Sequence, residues 1–203
     1  MATASRASLE QEIYLRSLTG YLVGQNLLQG YSRVAVVTYP DRICSAMAAA
    51  LVTSYIAKNN YRDGAAAVFT YEEGREEEMA KKILEYNPDA VYIAYGGEQK
   101  LSQVAKITDQ TLSALARTGY RGAVVLHVRV WLATKQLSLV SEGVRTYLAS
   151  IREVRLFTAD VPNRKFLFHR VGLMGGVKLE KFGEVLTTEE HARLLSISLP
   201  PPD

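Results

Sequence analysis

Five short and nearly continuous apolar runs, spaced by segments of helical periodicity, constrain this chain more than any other feature. They read RVAVVT (33–38), AAAVFTY (65–71), DAVYIAY (89–95), GAVVLHV (122–128) and EVRLFTA (153–159). A strand that is apolar along its whole length must be covered on both faces, which places these runs in a parallel sheet between two helical layers. Residues 45–58, 72–86, 98–117 and 137–150 supply the helices, with Met79, Ile83 and Leu84 on one side of the second. The expected architecture is α/β: a three-layer αβα domain with a mostly parallel sheet of about five strands.

The ends of the chain extend this pattern. Leu9, Ile13, Leu18, Leu22, Leu27 and Leu28 follow helical spacing. Gly20 and Gly24 weaken that helix, each by about 1 kcal/mol relative to Ala, but glycines four apart also permit close packing on a neighbour. KFLFHRVGLMGG reads as one further strand. TTEEHARLLSI reads as a terminal helix, capped by Thr187 or Thr188 ahead of Glu189 and Glu190, and PPPD cannot continue it. Residues 1–8 read as frayed. With no repeat or linker, 1–203 is expected to be a single domain, with an N-terminal helical region (1–30) and a terminal helix and tail (187–203).

Composition excludes several classes. The 203 residues are 48% hydrophobic and 22% charged, ordinary for a globular chain, and the net charge of +3 does not demand a nucleic acid partner. The charge is uneven: residues 1–100 hold 10 Lys+Arg against 12 Asp+Glu, and residues 101–203 hold 14 against 9. A basic C-terminal half suits a phosphate backbone or an acidic partner, although a solvated surface is the favoured reading. The single cysteine, Cys44, allows no internal disulfide and reads as a small buried residue in a reducing compartment. MATASRASLEQEIYLRSL lacks the apolar core of a signal peptide, and no run is long enough to cross a bilayer, so a cytoplasmic protein is expected.

In an open parallel sheet, ligands bind beyond the C-terminal strand ends. Four such ends are TYPDRICSA, TYEEG, AYGGEQ and LHVRVW. The turn Tyr39-Pro40-Asp41-Arg42 has no glycine, and Asp41 would repel a phosphate, which argues against a dinucleotide site. Gly96-Gly97 reads as a turn. Ser45, His127 and Asp41 share no spacing that selects them as a triad. His127 reads as a hydrogen-bonded strand residue, and His169 and His191 form no ligand pair. Glu72, Glu73, Glu76, Glu77 and Glu78 suit the first turns of a helix, with Lys81 and Lys82 spaced to pair with Glu77 and Glu78. Trp131 is a core residue or part of a partner patch.

The order of these pieces resembles the DHH phosphoesterase domain of RecJ-type nucleases over roughly residues 33–160. In that family the first strand enters an Asp-x-Asp-Gly turn, the third ends in a metal-binding aspartate, and the fourth ends in Asp-His-His. Here TYPDRICSA keeps Asp41 and has Arg42 at the glycine. AVYIAYGG has Ala94 or Tyr95 at the third-strand aspartate, and AVVLHVRVW has Leu126, His127 and Val128 at the Asp-His-His positions. Two-metal hydrolysis needs carboxylates to hold two cations about 3.5–4 Å apart, which Asp41 and His127 cannot do. The resemblance therefore implies the vestige of a metal site at Asp41, Ala94, Leu126, His127 and Val128, with no catalytic, cofactor-binding or metal-binding residue. It implies an inactive Cdc-forty-five-like scaffold of the replisome, binding the GINS complex and stimulating the MCM helicase. Contact with single-stranded DNA, through basic residues and the aromatics Tyr120, Trp131 and Tyr147, is expected on the same basis.

Two other readings stand beside it. RVAVVTYP followed by a helix, then YNPDAVYIAYGG, is similar to one lobe of type I periplasmic binding proteins. Those close two lobes around a ligand and usually carry an export signal, whereas this chain has length for little more than one lobe. The other is an active metal-dependent phosphoesterase with unusual ligands.

Overall fold

Every residue of Val34–Thr38 and of Ala90–Ala94 is buried, as two-sided apolar strands require. The structure, a computed structural model, describes residues 6–198. Along the chain it runs α1 (Leu9–Asn26), β1 (Val34–Thr38), α2 (Arg42–Lys58), β2 (Ala66–Thr70), α3 (Glu76–Tyr86), β3 (Ala90–Ala94) and α4 (Leu101–Arg117). There follow β4 (Ala123–Leu126), α5 (Val128–Ala133), α6 (Glu142–Ser150), β5 (Val154–Asp160), β6 (Lys165–Gly172), β7 (Lys178–Leu186) and α7 (Glu189–Ile197). One sheet holds all these strands in the order β2-β1-β3-β4-β5-β6-β7. β1 to β5 are parallel, and β6 and β7 extend the sheet antiparallel.

Alternation along the strands divides the core. Val34 and Val36 face α1 and α2, joined by Tyr92, Val125, Phe157, Phe166 and Phe168. Ala35 and Val37 face the other way, toward Ile83 of α3, Leu112 and Leu115 of α4, Trp131 of α5 and Leu148 of α6. The expected three-layer αβα arrangement with a mostly parallel sheet is what the chain forms.

Four details differ from the sequence reading. α2 begins at Arg42 rather than near Ser45, because Asp41 caps it by accepting from the Cys44 amide at 2.6 Å. The fourth strand stops at Leu126, and the expected helix over 137–150 is replaced by α5 and α6 on either side of a loop. In that loop Lys135, Gln136 and Leu137 are left-handed, with φ of 45°, 57° and 67°. β7 was not anticipated: KLEKFGEVL alternates charge with Phe182 and Val185, the pattern of a protected sheet edge. At the N-terminus, residues 1–5 lie outside the described residues, while Ser8 and Gln11 form a capping box that starts α1. At the other end, Thr188 caps α7, and PPPD lies outside the described residues.

α1 lies along α2 with Gly20 and Gly24 at the contact. A methyl group at Gly20 would overlap the carbonyl of Met47, and one at Gly24 would overlap the carbonyl of Leu51 and the Ser54 hydroxyl. In an isolated helix, Gly→Ala stabilises by about 1 kcal/mol. Here the sign reverses, because backbone cannot yield as a side chain does. We expect Gly20→Ala and Gly24→Ala each to destabilise by roughly 1–3 kcal/mol, read from urea midpoints. A stabilised variant would show that the helices do not touch there.

Candidate functional site

The chain reverses its winding between β1 and β3, the position where open α/β sheets usually keep a ligand. In this molecule a polar lattice occupies it. The Asp41 carboxylate, besides capping α2, accepts from the Glu98 amide at 3.3 Å and from the Gln99 side-chain amide. Arg42 grips Glu98 with two donors, Nε to Oε1 at 3.0 Å and Nη2 to Oε2 at 2.7 Å. The glycines of AYGG make room for this. A side chain at Gly97 would overlap the Asp41 carboxylate, and Gly96, at φ 95°, packs against the β-carbon of Arg129. The Pro40-Asp41-Arg42 junction is thus a helix cap tied to the neighbouring strand end. A smaller cavity of about 270 Å³ remains beside it, lined by Leu9, Glu12, Ile43 and Glu98 among others.

α1 delivers two charged groups into the edge of the sheet. Glu12 and Arg16 lie one helical turn apart and are 8% and 4% exposed. Their contacts are long: Arg16 Nε and Nη2 stand 3.4 and 3.5 Å from Glu12 Oε2. Arg129, on the first turn of α5, reaches the same oxygen at 3.7 Å and donates to the Ser198 hydroxyl at 2.8 Å. Glu12 Oε1 is buried without a hydrogen-bond partner. Two guanidinium groups therefore share one carboxylate. Burial, then the charge of Arg16, pushes Arg129 down to about 9; burial likewise lowers Arg16.

His127 completes the group. It caps α5, with Nδ1 placed to accept from the Arg129 amide at 3.1 Å, while Nε2 faces Arg16 Nη1 at 3.3 Å. A neutral imidazole has one acceptor nitrogen, so it satisfies one of these two donors. If it accepts from the Arg129 amide, its own N–H points at a guanidinium. Burial, and then Arg16 and Arg129, hold this ring far below the ordinary histidine range and keep it uncharged.

Beyond Arg16 and Arg129 opens a cavity of about 430 Å³. Its walls are Val128, Trp131 and Leu132 of α5, Thr158 and Ala159 of β5, Leu179 of β7 and Leu195 of α7, with Gln136 from the left-handed turn at the rim. α7 is held in place by His191, whose ring meets Thr19 of α1 at 3.1 Å and also meets Thr187. The space lies within the range of small-molecule sites, roughly 300–1,000 Å³, and combines apolar walls with a few convergent polar groups as they do.

Of the residues singled out from sequence, Asp41, His127 and Val128 come to this edge, Asp41 and His127 as helix caps and Val128 as cleft wall. Ala94 and Leu126 point to opposite faces of the sheet, into separate halves of the core. The acidic run is a paired surface: Arg75 bridges Glu72 and Glu78, Lys82 pairs with Glu78, Lys106 with Glu73, and Glu77 takes Arg117 rather than Lys81. Cys44 is buried, and that burial pushes its thiol up. His169 meets Thr158 at 2.9 Å. Among the described residues no three His, Cys, Asp or Glu side chains gather as a metal site, and no helix is long and apolar enough to cross a membrane. Sequence reasoning missed Glu12, Arg16 and Arg129. The available signal was charge on the otherwise apolar face of a helix.

The chain belongs to the protein family whose model, described as "Uncharacterized protein", matches residues 12–194. A curated relative from Aquifex aeolicus (strain VF5), described in the same words, is 28% identical over 143 residues, which are 67% of this chain and 60% of that one. Among solved structures the chain is similar to an extracellular ligand-binding receptor from Verminephrobacter eiseniae (10% identity, TM-score 0.47, 76% of this chain and 38% of that one). It is also similar to a leucine-binding protein from Thermotoga maritima (16%, 0.44, 75% and 39%). A third is the solute-binding protein of an ABC transporter from Rhodopseudomonas palustris, in complex with 3,4-dihydroxybenzoic acid (10%, 0.43, 89% and 66%). The chain thus spans about three fifths of its curated relative and about two fifths of the first two structures.

These matches overturn the resemblance to DHH phosphoesterases, because the similar structures are ligand-binding receptors and not RecJ-like nucleases or Cdc-forty-five-like helicase cofactors. The replisome scaffold, and with it GINS, the MCM helicase and single-stranded DNA as partners, falls with that resemblance. The geometry supplies physical reasons. Asp41 is spent on a helix cap, His127 is walled in by arginines, and the aromatics expected to stack on bases are core residues, with Tyr120 and Trp131 3% exposed and Tyr147 5%.

Two outcomes test this description. Asp41→Ala should cost about 1–2 kcal/mol in chemical denaturation, as a lost cap does, and Asp41→Asn should recover only part of that, since Asn keeps the cap oxygen but sets an NH2 against the Glu98 and Gln99 donors. Acid should weaken the fold. Burial, then Arg16, pushes His191 down to about 4 from its ordinary 6.5. The native ring thus stays neutral while the unfolded one takes a proton. Its contribution is complete above pH 6.5 and is lost as pH falls toward 4, by roughly 3 kcal/mol. Urea midpoints measured across this range should fall steadily and should fall less steeply in His191→Gln, the remaining slope coming from His127, whose ring is also held below its ordinary range.

Proposed function

We propose that this protein binds a small molecule in the cleft between α5, α7 and the end of β5, and that it performs no chemistry on it. The carrying observation is the cavity of about 430 Å³ with apolar walls and two buried guanidinium groups at one side. A pocket of that kind gains affinity from desolvated apolar contact and orientation from its few polar groups. The nearest candidates for chemistry are committed elsewhere: His127 stays neutral between two arginines, and the Cys44 thiol is driven up by burial. A cytoplasmic setting belongs to the same proposal, with Cys44 kept as a reduced, buried side chain.

Metabolite pools applied to the purified protein should raise its melting temperature saturably, since a ligand that binds only the native state stabilises it in proportion to the logarithm of its concentration. Ala159→Phe fills the cleft from its β5 wall and should abolish that rise while the unliganded protein still unfolds cooperatively. A rise of equal size in Ala159→Phe would place the ligand elsewhere.

A further inference from the structure

We infer that the cleft recognises an apolar carboxylate, whose head group meets Arg129 and Arg16 while its hydrocarbon body lies against Trp131 and Leu132. This inference rests on the proposed ligand cleft and names what that cleft selects.

The charge balance of the buried edge is the argument. Arg16 and Arg129 each carry a positive charge, His127 is neutral, and Glu12 supplies the one negative charge within ion-pair distance of them among the described residues. Buried charge left uncompensated is costly, and removing one partner of a buried pair is strongly destabilising for that reason. The donors are also under-used. A guanidinium offers five N–H groups. The contacts of Arg16 with Glu12 and His127 run from 3.3 to 3.5 Å, beyond the usual range for a charge-assisted hydrogen bond, and its Nε is buried without one. Arg129 has one short partner, the Ser198 hydroxyl at 2.8 Å.

A carboxylate suits these donors because its two oxygens accept a guanidinium in parallel. One such anion cancels the one surplus charge of the Glu12–Arg16–Arg129 set. The remaining walls are mainly apolar, including Val128, Trp131, Leu132 and Leu195. Beside the polar Gln136, Thr158 and Ser198 they offer mostly apolar surface, which matches a hydrocarbon or an aromatic ring better than a sugar. Gln136 stands at the rim, in a left-handed turn with Lys135 and Leu137, a backbone conformation that concentrates at binding sites.

Trp131 is the only tryptophan of the chain and lines the cleft, so its fluorescence reports occupancy directly. The full-length protein would be titrated with hexanoate, hexanamide and hexyl phosphate. Hexanoate should bind saturably and at least about ten-fold more tightly than hexanamide, the scale expected for one charge-assisted pair. Arg129→Met should erase that preference to within about two-fold while keeping hexanamide binding, and Arg129→Lys should retain part of it. Glu12→Gln removes the competing carboxylate and should tighten hexanoate binding several-fold, a gain that misfolding cannot produce. Equal affinity for hexanoate and hexanamide in the unaltered protein overturns the carboxylate inference and leaves the cleft standing. Tighter binding of hexyl phosphate than of hexanoate overturns it in favour of a phosphorylated ligand. Failure of all three probes to bind, with no response to metabolite pools either, removes the cleft as a ligand site and the inference with it.

Discussion

The close approach of α1 to α2 governs this molecule. Two glycines one helical turn apart bring α1 down until the backbone of α2 fills the space where their side chains would be. That contact fixes how α1 lies across the sheet. Its C-terminal end leads into β1 at one edge, and its N-terminal half overhangs the other edge, where the parallel strands end. Glu12 and Arg16 are carried there by the helix and buried by it. A looser pairing would leave both in water, where they would form an ordinary surface pair worth little.

Burying them changes what they mean. A buried ion set adds little to stability compared with apolar groups of the same volume, because desolvation offsets most of its attraction. Its presence at the rim of a cleft is therefore better accounted for by what it can hold than by what it stabilises. A second polar group closes the switch point between β1 and β3 to a ligand. Asp41, Arg42, Glu98 and Gln99 knit those strand ends together, and the open space lies beside α5 and β5. There the two arginines form one wall and α7 another, with His191 locking α7 onto α1.

Much of the architecture was legible in the residues. Two-sided apolar strands such as VAVVT and AVYIA demand helices on both faces, and the glycine pair of the first helix announced a tight contact. The threonine before Glu189 and Glu190 placed the last cap correctly. The site was not legible. Asp41 and His127 stand at strand ends where ligand residues often lie, yet both act as helix caps, since an acceptor side chain just before a helix serves its free amides whatever else it resembles. Their spacing fits a metal-site vestige and a cap alike. The edge hairpin was half seen, because β7 carries charge on its outer positions and only its pairing with β6 makes it a strand.

The sequence by itself determined the layers, the parallel core, the last helix cap and the room for α1 to approach α2, because these depend on local pattern: burial on two faces, an acceptor before a helix, a missing β-carbon. Only the tertiary structure decided the site. Glu12, Arg16, His127 and Arg129 come from segments more than a hundred residues apart, and a charge on a helix becomes a buried charge only when another element covers it. Burial and the sharing of a single carboxylate are properties of the assembled edge, and no window of the chain contains them.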